Sequence, residues 1–339
     1  MQEKIFFGTY TRKSSQGVYQ AILDTDKQTL SQPTPAIKIG GPTYLRLTKA
    51  GSLLAVTAKE DQGGLSSYSA TDFTVNNAIL HEGASPCYIG VDEARQLVYS
   101  ANYHKGEIIV YRINPDQTLT QTDSVVVTGN GPREEQDSAH VHYTDLTPDD
   151  RLTAVDLGSD RIYVYDVSDA GTLSQVSVLK MPAGYGPRHL VFAPNGQYAY
   201  LAGELSSQIS TLQYDAANGS LTLLQTLPTI PADWTEHNGA AAIKMSSDGK
   251  FVYVSNRGYN SLAVFAVQTD HQLKLVQQIS TAGDFPRDFA LDATEKFVVC
   301  ANQNTDNVTL YSRNQTTGEL TCLQKDVLVP EGVCVCFAD

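Results

Sequence analysis

The feature that most constrains this chain is that it repeats itself. A short apolar strand, a tight polar turn, a second strand ending in a polar residue, a small loop and a third strand recur along its length. Residues 188–201 and 242–254 show the cadence best, and 44–57, 88–101, 142–156 and 288–301 share it. Pro194-Asn195-Gly196, Ser246-Ser247-Asp248-Gly249 and Pro148-Asp149-Asp150 fall at equivalent places, as hairpin turns require. Segments such as Leu97-Val98-Tyr99 and Phe251-Val252-Tyr253-Val254 are rich in β-branched and aromatic residues, which favours strands. No stretch carries a sustained helical period with caps. Four antiparallel strands at a period of roughly 40–50 residues predict a β-propeller.

Six complete units fit between Gly41 and Leu328, and the two ends supply a seventh. Residues 4–10 read as a second strand and 332–337 as a first strand, so joining them closes the ring. The expectation is an all-β, seven-bladed propeller of four-stranded antiparallel blades forming one domain over residues 1–339, with six or eight blades as the alternatives.

Composition narrows the function. With 37 acidic against 24 basic residues the net charge is −13. Nucleic-acid and anionic-lipid surfaces need clustered Lys and Arg, so no such partner is expected. No run of about 18 apolar residues occurs, so no membrane span is predicted. The first residues turn polar too early for a secretory leader, and a cytoplasmic protein is expected. The five cysteines, Cys87, Cys300, Cys322, Cys334 and Cys336, show no C-x-x-C spacing and read as small core residues rather than a disulfide framework.

In a propeller blade the first strand runs along the channel and the second returns, so the start of one and the end of the other share a face. Aligning the units puts His142, Arg188 and Arg287 at equivalent starts, where other units carry Thr43, Cys87 and Ala241. Tyr103, Glu204, Arg257 and Gln303 follow the second strands, preceded in their columns by Asn102, Asp156, Asn256 and Asn302. His140, His142, Arg188, Arg257, Arg287 and Glu204 are therefore expected around one mouth. By strand alternation His189 points to the other side of its strand. Guanidinium forks bind carboxylate or phosphate through paired charge-assisted hydrogen bonds. An imidazole beside them can move a proton near neutral pH. This combination suits opening or closing a lactone ring on an anionic sugar acid, with the arginines facing the developing oxyanion.

Other chemistries fit less well. His140-Val141-His142 would place two imidazoles on one strand face, with Glu135, Asp137 or Glu204 to complete a metal site, but three nearby arginines oppose a divalent cation. No metal or cofactor is expected. Gly184-Tyr185-Gly186-Pro187 precedes a strand rather than a helix, and no G-x-S-x-G elbow occurs. The long segment 227–238, which holds the only tryptophan, Trp234, reads equally as a cover over the mouth or a tolerated insertion.

Gly8-Thr9-Tyr10-Thr11, residues 156–161, Gly186-Pro187-Arg188-His189, residues 203–207 and Val254-Ser255-Asn256-Arg257-Gly258 together resemble the seven-bladed propeller lactonase family. That family includes propeller-type bacterial 6-phosphogluconolactonases and is similar to fungal carboxymuconate-lactonizing enzymes. The resemblance spans essentially the whole chain. It implies hydrolysis of 6-phospho-D-glucono-1,5-lactone in the oxidative pentose phosphate pathway, in the cytoplasm. It also implies that a histidine of 140–142, Arg188, Glu204 and Arg257 are catalytic. The expected roles are His142, or failing that His140, as general base assisted by Glu204, with Arg188 and Arg257 on the phosphate or oxyanion. Arg287, His189, Tyr103, Asn256 and Gln303 are the candidate substrate-binding residues. The alternatives are a lactonase or cycloisomerase on another anionic substrate, or a binding scaffold, although the Trp-Asp repeat signature of such scaffolds is missing.

Overall fold

The computed structural model describes residues 1–338. Its strands form seven antiparallel sheets arranged as a propeller, six of them contiguous in sequence at 45–82, 88–126, 141–180, 187–228, 239–280 and 286–328. The only helical turn among the described residues is a 3-10 turn at Glu134–Gln136. In each blade the first strand lies innermost and packs against the first strands of its neighbours.

The seventh blade is made from both ends. Gln2–Thr9 pairs with Gly332–Ala338 on one side and Gly17–Asp24 on the other. The position of its fourth strand is shared by two short pieces, Thr29–Leu30 and Thr34–Lys38. Between them runs Ser31-Gln32-Pro33, and a proline cannot donate to the ladder. Ile5, Phe7 and Val335 meet in one buried cluster with Val299, Val308 and Leu310 of the preceding blade. The closing strand is thus held by packing as well as by its ladder. Removing residues 332–339 should lower the midpoint of thermal unfolding by about 10 °C or more, given roughly 2–4 °C per kcal/mol for chains of a couple of hundred residues. The measurement is a circular-dichroism melt, and an unchanged midpoint would refute the closure.

Turn chemistry follows the sequence. Gly196, Gly249 and Asp150 all adopt positive φ at equivalent hairpin turns. The inner strands depart from regular alternation. In four blades the ladder between first and second strands skips a residue near the start: at His142, at Arg188-His189, at Ala241-Ala242 and at Arg287. Such bulges re-aim side chains that regular pleating would send elsewhere.

Candidate functional site

The inner-strand bulges and the ends of the second strands surround a cavity of about 520 Å³ at one mouth of the channel. His142, Arg188, Arg287, Glu204, Arg257 and Tyr103 all line it. His189 lines it too, which corrects the expectation from alternation. Pro187 pairs with Gly203 and Leu190 with Leu201, so Arg188 and His189 together face the single Ala202, and both can turn inward. The approach to this strand is set by Gly186 at φ +60°, whose missing Cβ leaves room for Leu205 at 2.3 Å and whose N–H reaches Asp160 Oδ1 at 2.8 Å.

Glu204 organises the cationic side. Its carboxylate takes Arg188 Nε at 2.8 Å on one oxygen and Arg257 Nη2 at 2.8 Å on the other. Burial pushes the Glu204 carboxyl up, but the Arg257 and Arg188 charges outweigh it and hold the group at about 2. Burial, and then repulsion from Arg257, lowers the Arg188 guanidinium to about 10, so it remains charged at neutral pH. Arg257 also donates to the carbonyls of Gly239 and Ala240 and lies 5.1 Å from the Phe285 ring. Arg287 has no carboxylate within ion-pair distance among the described residues and rests on the Tyr10 ring at 5.6 Å. Arg12 stacks on the same ring at 4.0 Å. Of the lining carboxylates, Glu204 is shared by two arginines, and Asp288 faces Lys244 at 3.8 Å and accepts from Val335 N–H. The cavity therefore carries surplus positive charge in a chain of net charge −13.

Of the three imidazoles lining the cavity, His142 and His189 are buried and His104 is exposed. Burial, with Arg188 next, holds His142 well below its ordinary range, and the same two causes act on His189. His189 Nε2 lies 3.2 Å from His142 Nδ1, and Arg188 Nη1 lies 3.4 Å from His189 Nδ1. The Cys87 thiol approaches His142 Nδ1 at 3.8 Å and stays protonated, since burial pushes it to about 11.

Three candidate residues sit elsewhere. His140 stacks face to face on Tyr103 at 4.2 Å, and its ring nitrogens meet the Tyr103 carbonyl and Asp137. It does not line the cavity, because the bulge at His142 separates the two imidazoles. Nor do they converge on a metal: no group of three His, Cys, Asp or Glu among the described residues has such an arrangement. Asn256 is fully buried and bonds Thr229 and Ser261. Asn102 and Asn302 likewise reach the carbonyls of Ala84 and Thr281, and Asp156 the His140 N–H. In these four blades the column ties the end of the second strand to the connection arriving from the blade before, so its recurrence is structural. Gln303 lies beside Asn304, away from the cavity.

Sequence reasoning missed Tyr10, Thr11 and Arg12, which line the cavity from the closing blade. Tyr10 follows the second strand just as Tyr103 and Glu204 do, so carrying that column through the N-terminal half-blade would have found it. Their loop is anchored by Glu331, whose carboxylate accepts the N–H groups of Arg12, Lys13 and Ser15. The segment after residue 228 lines a neighbouring hollow of about 320 Å³ through Ile230, Glu236 and His237, with Glu204 and Arg257 as the shared wall. Trp234 packs edge-on against Tyr259.

Acid should destabilise the fold in two windows. Below an ordinary histidine value of 6.5, the unfolded chain takes protons that His142 and His189 refuse, so stability falls as pH drops. From about 4.5 down to about 2, the unfolded Glu204 is protonated while the native one stays ionised, and a further share is lost. Thermal midpoints against pH check this, and His142→Gln should shallow the first window. A midpoint flat between pH 7 and 5 would count against neutral buried imidazoles.

Comparison with known proteins places this cavity in context. A family model described as a seven-bladed β-propeller lactonase matches residues 4–337. A Bacillus subtilis (strain 168) protein named 6-phosphogluconolactonase is 41% identical over 340 residues, covering 98% of this chain and 97% of that one. A crystal structure of a Lactobacillus plantarum protein superposes with a TM-score of 0.99 at 60% identity, covering all of both chains. The structure of the Pseudomonas aeruginosa periplasmic gluconolactonase gives 0.91 at 29% identity, covering 100% of this chain and 99% of that one.

Proposed function

Because the chain belongs to the seven-bladed β-propeller lactonase family, we propose that it hydrolyses the lactone of a phosphorylated sugar acid, 6-phospho-D-glucono-1,5-lactone, to 6-phosphogluconate. The observation that carries the reading is the cationic surplus of the cavity. Two guanidiniums share one carboxylate, and a third, Arg287, has none, which leaves charge for an anionic ligand. A volume of about 520 Å³ falls within the range for small-molecule sites.

In the proposed reaction, water attacks the lactone carbonyl, the new C–O bond forms, and the bond to the ring oxygen breaks. The proton lost by water ends on the released ring oxygen. Arg188 Nη2 and Arg257 Nη1 have no partner among the described residues, so both can face the carbonyl oxygen as it gains charge. Glu204, held at about 2, is too weak a base to activate water. Its part is to fix the two guanidiniums. Arg287, with Arg12 beside it on Tyr10, takes the phosphate. The proposal includes a cytoplasmic location, since a phosphorylated sugar acid carries charge that does not cross a bilayer unaided.

The test is hydrolysis of phosphorylated and unphosphorylated gluconolactones, corrected for spontaneous opening. Arg188→Met and Arg257→Met should each lower kcat/KM by about 10–100-fold, the worth of one charge-assisted contact. Arg287→Met should raise KM for the phosphorylated lactone by about 10-fold or more and leave the unphosphorylated one nearly unaffected. Equal effects on the two lactones would move the phosphate away from Arg287. No turnover of either by the parent protein would overturn the reading.

A further inference from the structure

Three adjacent side chains in the cavity wall form a chain in which one member has no freedom. An arginine side chain only donates, because none of its nitrogens accepts. Arg188 Nη1 lies 3.4 Å from His189 Nδ1, so that nitrogen must be the acceptor. A neutral imidazole carries one proton, which then sits on His189 Nε2. This atom is 3.2 Å from His142 Nδ1, so His142 Nδ1 must accept in turn, and the proton of His142 sits on Nε2.

The environment keeps both rings in that state. Burial and the Arg188 charge disfavour a second proton on either imidazole. The protonated Cys87 thiol, 3.8 Å from His142 Nδ1, has the Val141 and His142 carbonyls as acceptors and takes no proton from the imidazole. His189 is boxed by Tyr88 at 5.0 Å, Tyr143 at 5.8 Å and Tyr44 at 6.4 Å between ring centroids, which restrains its plane. His142 Nε2 has no hydrogen-bond partner among the described residues, and His142 lines the cavity.

We propose that His189 is a positioning residue that locks His142 as the Nε2–H tautomer, so that His142 presents a hydrogen-bond donor to the substrate oxyanion and is not the base that activates water. This reverses the role assigned to His142 from sequence. It rests on the lactone reading above for the identity of the acceptor, while the relay itself is independent of it. A neutral imidazole is an effective donor to a developing oxyanion, since no ionisation is needed in a buried site. The opposite tautomer would set a His189 Nδ1–H against the Arg188 N–H, two donors with no acceptor between them.

The experiment is nitrogen-15 NMR of the imidazole side chains in the intact protein, beside steady-state kinetics. The wild-type protein should show His142 with a pyridine-like Nδ1 and a pyrrole-like Nε2. His189→Leu removes the donor, so His142 should shift toward mixed tautomers, and kcat should fall by about 10-fold with KM little changed. His189→Gln restores an N–H at the same reach and should recover both the spectrum and most of kcat. A wild-type His142 protonated at Nδ1 overturns the proposal, as does a His189→Leu protein with an unaltered spectrum. Should His189→Leu fail to fold, the wild-type and His189→Gln spectra still decide. If no lactone is turned over, the assignment of the acceptor falls while the spectrum still judges the relay.

Discussion

The pairing of Gln2–Thr9 with Gly332–Ala338 is the constraint on which the rest of the molecule depends. Without it Gln2–Thr9 would be an unpaired edge of the seventh blade, the strand at 332–338 would have no sheet to join, and the ring could spring open. The same closure brings the two chain ends to the cavity, since Tyr10, Thr11 and Arg12 come from one and Val333 from the other. Sheet topology and site are thus one geometric problem. Six blades arrive as continuous stretches and need only local turns, whereas the seventh needs contacts across almost the whole sequence.

The closed ring converts a repeated local defect into a shared centre. Four inner strands carry a bulge at equivalent places, and three of these hold His142, Arg188 with His189, and Arg287. The bulges let side chains turn toward the axis that regular pleating would alternate away. Glu204 and Arg257 then come from the returning strands of two adjacent blades, and the carboxylate bridges the guanidiniums of both. That bridge neutralises only part of the positive charge. What remains is a cationic pocket in an acidic protein, and two imidazoles that stay neutral beside it.

Much of this was legible in the sequence because it lay in periodic signals. The recurring turns, the β-branched segments and the half-units at the two ends were enough for seven blades and their closure. Alignment of those units also brought His142, Arg188, Arg257, Arg287, Tyr103 and Glu204 to one mouth, where the structure has them. His189 was misplaced because a bulge leaves no mark in an alternating pattern. Asn256 stands in a column of asparagines, which looks the same in sequence whether it meets a ligand or a neighbouring connection. Only the bonds to Thr229 and Ser261 distinguish the two. Tyr10 and Arg12 are hard to read because their blade is split between the two ends of the chain, so no contiguous unit displays its rim.

The anchoring of residues 10–15 by Glu331 has a consequence for how the protein matures. During synthesis the segment carrying Tyr10 and Arg12 emerges long before the carboxylate that accepts its Arg12, Lys13 and Ser15 amides. The earlier contiguous blades can form while this part of the rim still lacks its anchor. Ligand affinity should therefore arise late and abruptly, once Glu331 has been made and has docked on this loop.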